Sequence, residues 1–168
     1  MYDDPDLGVV AISEPRGWPK LLKVDPKKRM LFNPKESIEF QGYTGPFVQY
    51  SHARIAAILR KAEQIGVKYQ NPDFGSVQEL AESETALIQI LNDFERKIRL
   101  AGEEYSPAII AQYLFDLAKE YNRFYADLPI FHEKDEAIQA FRVALSALTA
   151  QTIRKGMSLL GINVPERM

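Results

Sequence analysis

His52 and His132 are the only imidazoles in the 168-residue chain, and they lie far apart. No carboxylate stands within one helical turn of His52, so no local partner orients it as a general base. It reads as structural, or as a surface or interface contact. His132 reads as a turn residue. No HExxH pair, glycine-rich phosphate loop or GxSxG elbow occurs. With no cysteine there is no thiol nucleophile, thiolate metal site or disulfide. Asp116 and Glu120 stand at helical spacing, but Lys119 beside them makes a solvated face the simpler reading. No catalytic, cofactor-binding or metal-binding residue is therefore expected.

A different chemistry is written between Phe47 and Lys61. Phe47, Tyr50, Arg54 and Lys61 fall on one face of a helix, with Gln49 beside them. Rings followed by cations are what unpaired nucleotides need. Bases stack on aromatics, their edges take hydrogen bonds, and Arg or Lys tracks the phosphates. The competing reading is that Phe47 and Tyr50 pack a helical core and Arg54 pairs with a carboxylate. Arg154 and Lys155 suit the last turns of a helix, where cations favour the dipole, or a phosphate contact.

The elements that must position these groups are helical. From Pro46, Val48, Ile55, Ile58 and Leu59 recur at spacings of three, four and seven, to a stop near Gly66. Ser76 with Glu79 fits a capping box for a short turn. A helix over about 84–101 carries Leu87, Leu91, Phe94 and Ile98, with Gly102 as its stop. Ser106 and Pro107 read as N-cap and first-turn proline of the next helix, striped by Ile110, Tyr113, Leu114, Leu117, Tyr121 and Phe124. A last helix over about 134–160 takes Phe141, Ala144, Leu145, Leu148, Thr152 and Leu159 as its inner face. Its alanines (137, 140, 144, 147, 150) allow close neighbours. Short connections favour antiparallel packing. The expected fold is all-α: an antiparallel bundle of four to five helices over 43–168 behind an irregular extension over 1–42. In that extension, 21–24 and 29–32 read as short extended pieces and 41–46 as a turn.

Bulk properties narrow the class. A composition with 46% hydrophobic and 26% charged residues is that of a globular chain. No apolar run approaches the roughly 20 residues of a membrane span, and no secretory leader is expected. A net charge of −2 argues against a general nucleic-acid coat. The charge is nevertheless segregated: +6 over 16–35, −5 over 73–104 and +3 over 142–168. A basic face can bind phosphate locally on a chain that is near neutral overall. The absence of cysteine fits the cytoplasm.

Several stretches together resemble one family. They are Asn33-Pro-Lys-Glu-Ser-Ile-Glu-Phe40, Gly45-Pro-Phe-Val-Gln-Tyr-Ser-His-Ala-Arg54, Tyr121-Asn-Arg-Phe-Tyr125, Arg142, and Gly156-Met-Ser-Leu-Leu-Gly161 followed by Pro165-Glu-Arg-Met168. In this order they resemble the C-terminal, DALR-type anticodon-binding domain of arginyl-tRNA synthetases, over about residues 21–168. The resemblance implies that 21–42 is a remnant of a catalytic-domain end. It implies a module that binds the tRNA for arginine and supports arginylation by a complete enzyme. ATP and arginine would then bind a catalytic domain missing from this chain. The family's adenylation motifs are absent, so the chain is not expected to be catalytic alone, and 1–20 has no counterpart. An excised piece, a free-standing paralogue and half of a split protein all fit.

By resemblance, Tyr50 and Arg54 match positions of tRNA contact, and Phe47 stands where a tyrosine is common. Ile130 lies in a loop placed against the anticodon, and Met168 lies near the anticodon pocket. Leu160, Ile162, Val164 and Pro165 can pin that tail to the bundle. The expected tRNA-binding set is Phe47, Gln49, Tyr50, Arg54, Lys61, Ile130, Arg154, Lys155 and Met168. The expected partners are tRNA and the catalytic domain, with no membrane. The alternative is a helical protein–protein interaction module that docks through the alanine-rich last helix and binds no RNA.

Overall fold

The computed structural model describes residues 45–168 except 74, 76 and 78. The extension over 1–42, its extended pieces, most of the turn at 41–46 and the Ser76 cap lie outside the described residues. Five α-helices and one 3-10 turn make up the described part: α1 (Gly45–Gln64), α2 (Glu82–Asn92), α3 (Phe94–Glu103), α4 (Pro107–Asp127), the turn Ile130–His132, and α5 (Glu136–Leu159). No strand occurs among these residues. The architecture is the expected all-α bundle.

Each helix begins or ends where local chemistry requires it. Pro107 opens α4 in its first turn, where its missing N–H costs nothing. Ser106 is its N-cap residue, but its hydroxyl makes no capping bond. Asp135 caps α5, its carboxylate accepting the N–H groups of Ala137 at 2.8 Å and Ile138 at 3.2 Å. Gly161 ends that helix at φ +73°, a left-handed conformation that suits glycine. There Gly161 N–H reaches the Ser158 carbonyl and Ile162 N–H the Met157 carbonyl, both at 3.0 Å.

The helix expected over 84–101 is two helices broken at Asp93. Asp93 carries the last bonds of α2 and accepts a bidentate hydrogen bond from Arg96, at 3.1 and 2.7 Å. Nor is Gly102 the stop, since α3 runs on to Glu103. Tyr105 makes the reversal, at φ +51°. The N–H of Ser106 closes it on the Ala101 carbonyl at 3.0 Å.

α4 is the central helix. Leu117, Ala118, Tyr121 and Phe124 are completely buried. α1 runs parallel to it, because Phe47 meets Phe115 and, two turns on, Arg54 meets Asn122. α2 runs antiparallel to it, with Glu82 near Arg123 and Tyr113 bonded to the Ile90 carbonyl. α5 is antiparallel to both α1 and α4. Tyr121 bonds Ser146 at 3.0 Å, and Gly156 lies against Leu114.

The inner face of α5 differs from expectation. Phe141, Leu145 and Thr152 are buried, but Leu148 and Leu159 are exposed. Val143, Ser146, Thr149, Ile153, Gly156 and Met157 are buried as well, because α5 is covered by α1 on one flank and α4 on the other. Leu148 instead borders an apolar groove with Val77, Leu80, Ile88, Leu91, Phe141 and Leu145.

α5 comes close to α4 at Gly156, which lies against Leu114. A Cβ there would lie 2.6 Å from Leu114 Cδ2 and 3.1 Å from its Cγ. Leu114 is 1% exposed and has little room to move. Gly156→Ala gains about 1 kcal/mol of helix propensity, against an overpacking cost of about 1–3 kcal/mol. We expect a net loss near 1 kcal/mol and a larger one for Gly156→Val, read as a lower urea midpoint at constant slope.

Candidate nucleic-acid interface

Arg54 projects from the middle of α1, where helix periodicity brings it above Tyr50 and beside α4. Its guanidinium donates to Asn122 Oδ1 at 2.8 Å and to the Tyr50 hydroxyl at 3.3 Å. It also lies 5.0 Å from the Tyr50 ring centre and 5.7 Å from that of Tyr125. Asn122 cannot turn its amide over. Its Nδ2 donates to the Ala118 carbonyl and to the Ser51 hydroxyl, both at 2.9 Å, and a carbonyl can only accept. Ser51 in turn donates to the Phe47 carbonyl at 3.0 Å. Oδ1 is thereby aimed at Arg54. The outcome is a planar cation held by Asn122 within reach of two rings, with Tyr50 44% exposed. Such a group is ready to stack on a base or fork onto a phosphate.

Below this cluster runs the tail, residues 161–168. Ile162 and Val164 pack on the core, as does Leu160. Three side chains of α1 hold the tail's backbone. Gln49 donates to the Asn163 carbonyl at 3.0 Å, His52 Nδ1 to that of Pro165 at 2.9 Å, and Arg60 to that of Glu166 at 3.1 Å. Arg154 of α5 pairs with the Glu166 carboxylate. Met168 ends the tail 60% exposed. His52 is completely buried, and desolvation lowers its pKa from the usual 6.5.

At the other end of α1, Lys61 Nζ lies 4.4 Å from the ring centre of Phe131 in the 3-10 turn. His132 completes that turn. Ile130, expected to face the anticodon, is 1% exposed and belongs to the core. An apolar side chain under a short loop gains more from burial than from solvent.

The nine expected residues therefore divide. Tyr50 and Arg54 form one cluster, and Lys61 a second that is about 16 Å along the helix from Tyr50 at 1.5 Å per residue. Gln49 and Arg154 are engaged with the tail that carries Met168. Lys155 is exposed on the last turns of α5. Phe47 is half-buried, its ring 5.3 Å from that of Phe115, so it packs inward. Sequence reasoning missed Asn122, Tyr125 and Arg60 as members of these clusters. The stretch Tyr121–Tyr125 carried a signal, but nothing local tells that its Asn meets an Arg 68 residues away. Among the described residues no three His, Asp or Glu groups could hold a metal ion, and no helix is long and apolar enough to cross a membrane.

The chain is similar to arginine–tRNA ligases of several bacteria. It is 53% identical to that of Bacteroides thetaiotaomicron over 148 residues, which cover 88% of this chain and 25% of the relative. It is 53% identical to that of Porphyromonas gingivalis over 149 residues, again 88% and 25%. The chain thus spans about a quarter of the length of the curated relatives it matches. Among solved structures, the arginyl-tRNA synthetase of Thermus thermophilus superposes with a TM-score of 0.80 at 36% identity, covering 90% of this chain and 26% of that one. The arginyl-tRNA synthetase of Plasmodium falciparum shares the fold, with a TM-score of 0.77 at 20% identity, covering 90% and 26%. Residues 48–168 match the family described as the DALR anticodon binding domain. The chain belongs to that family.

Proposed function

We propose that this chain is the tRNA-recognition module of an arginine–tRNA ligase and grips the anticodon region of arginine tRNA. The observation that carries this reading is the Arg54 guanidinium held by Asn122 close to the Tyr50 and Tyr125 rings. In this reading Tyr50 and Arg54 stack on or fork onto the loop nucleotides. Lys61, Arg154 and Lys155 supply charge for the flanking phosphates, and Met168 offers a flexible thioether to a base face. Gln49 contributes through the tail it holds, and Phe47 through packing beneath Tyr50's helix face. ATP and arginine bind a catalytic domain outside this chain, which is the module's second partner, and the work is done in the cytoplasm. This chain contributes recognition and positioning, not adenylate formation.

A shift assay with arginine tRNA and with several tRNAs of other anticodons tests the reading. Arginine tRNA should bind tightest, and its affinity should fall with salt along a slope set by the few phosphates neutralised. Equal binding to every tRNA would remove the specificity. No shift at low salt would favour a protein-docking module instead.

A further inference from the structure

The tail is held by more than apolar packing. Of the three side chains that grip its carbonyls, Gln49 and Arg60 make exposed hydrogen bonds, which water competes with. His52 alone makes its bond from a completely buried ring. The Pro165 carbonyl can only accept, so Nδ1 carries the proton and Nε2 is left as a bare lone pair. No donor reaches Nε2 among the described residues.

A second proton on that ring would create two problems at one point. It would bury a charge, and it would leave an N–H with no acceptor. The charged groups acting on the ring are Arg154 of α5, which opposes that proton, and Glu166 of the tail, which favours it. Glu166 is already paired with Arg154. Burial is the strongest influence and also opposes the proton; it outweighs the bond to the Pro165 carbonyl, which favours it.

We propose that His52 is the positioning residue of the tail: its neutral imidazole seats residues 161–168 on α1, and a proton on Nε2 unseats them. The sign follows from linkage. Release of the tail lets water replace the Pro165 contact and moves the ring toward its ordinary 6.5, whereas the seated ring titrates lower. Seating is complete above that value, and weakens as pH falls from there through the value of the seated ring.

The test is NMR on the whole chain from about pH 8 to about pH 5. It follows the His52 ring, the Met168 methyl as tail reporter and the buried Ile153 methyl as core reporter. As His52 gains its proton, the Met168 signal should move to that of a mobile tail while Ile153 stays in place. His52→Asn keeps an amide donor near the Nδ1 position and cannot titrate, so its tail should stay seated across the range. His52→Leu should release the tail even at neutral pH. A wild-type tail that remains seated to the acid limit would overturn the proposal. So would an Asn variant that keeps the wild-type pH response. Seating needs no RNA, so its failure is separable from failure of the tRNA reading.

Discussion

Replacing Arg142 with alanine should destabilise the fold by about 3–5 kcal/mol, because it strands a buried carboxylate. Glu84 is 2% exposed. It receives Arg142 Nε at 2.7 Å on one oxygen and the Ala81 N–H at 2.7 Å on the other. Arg142 also donates from its other arm to Glu133 at 2.9 Å. One guanidinium thus ties α2, α5 and the loop before α5 together. Glu133 turns the same loop by accepting the N–H groups of Lys134 and Asp135. Those two N–H groups, more than Arg142, hold its carboxyl below the usual range. Removing both charges should cost less than removing one, since the strength of the effect lies in the orphaned ion. Arg142→Met combined with Glu84→Met should therefore recover much of the loss, though not the bond to Ala81. Guanidinium denaturation of the two single variants and the double measures this. An Arg142→Ala variant within about 1 kcal/mol of the parent would show that Glu84 finds water.

Arg54→Ala should weaken binding to arginine tRNA by about tenfold to a hundredfold, the worth of one or two charge-assisted contacts at about 1.5–3 kcal/mol. Arg54→Lys should recover only part of this, since an ammonium keeps the charge but loses the planar fork. Asn122→Ala should reproduce a share of the loss without touching RNA, by freeing the guanidinium to rotate. The half-exposed position of Arg54 means that thermal midpoints should change far less than affinity. Unchanged affinity in the Arg54→Ala variant, measured at low and moderate salt, would move the interface elsewhere on the molecule.

Much of this was legible along the chain. Helical spacing, Pro107, Gly66 and Gly161 act over a few residues, so the helical class and most helix ends followed from local chemistry. Of the expected strip Phe47, Tyr50, Arg54 and Lys61, helical spacing showed that Tyr50 and Arg54 are neighbours, but not that Phe47 packs on Phe115 or that Lys61 lies on Phe131. The break at Asp93 was not legible, since the apolar stripe through Leu91, Phe94 and Ile98 continues across it. Leu148 and Leu159 read as core because periodicity names a stripe and does not say which neighbour covers it.

The sequence by itself determined, over the described residues, an all-α bundle with rings and cations on its first helix and a tail after the last. Only the tertiary structure decided which polar groups meet. It brought Arg54 to Asn122, Glu84 to Arg142 across 58 residues, and His52 to Pro165 across 113. It turned Gln49 from a candidate reader into a clasp and sent Ile130 into the core. Such pairs depend on how helices pack and in what register. Register is set by the whole core together, and no short stretch of sequence carries it.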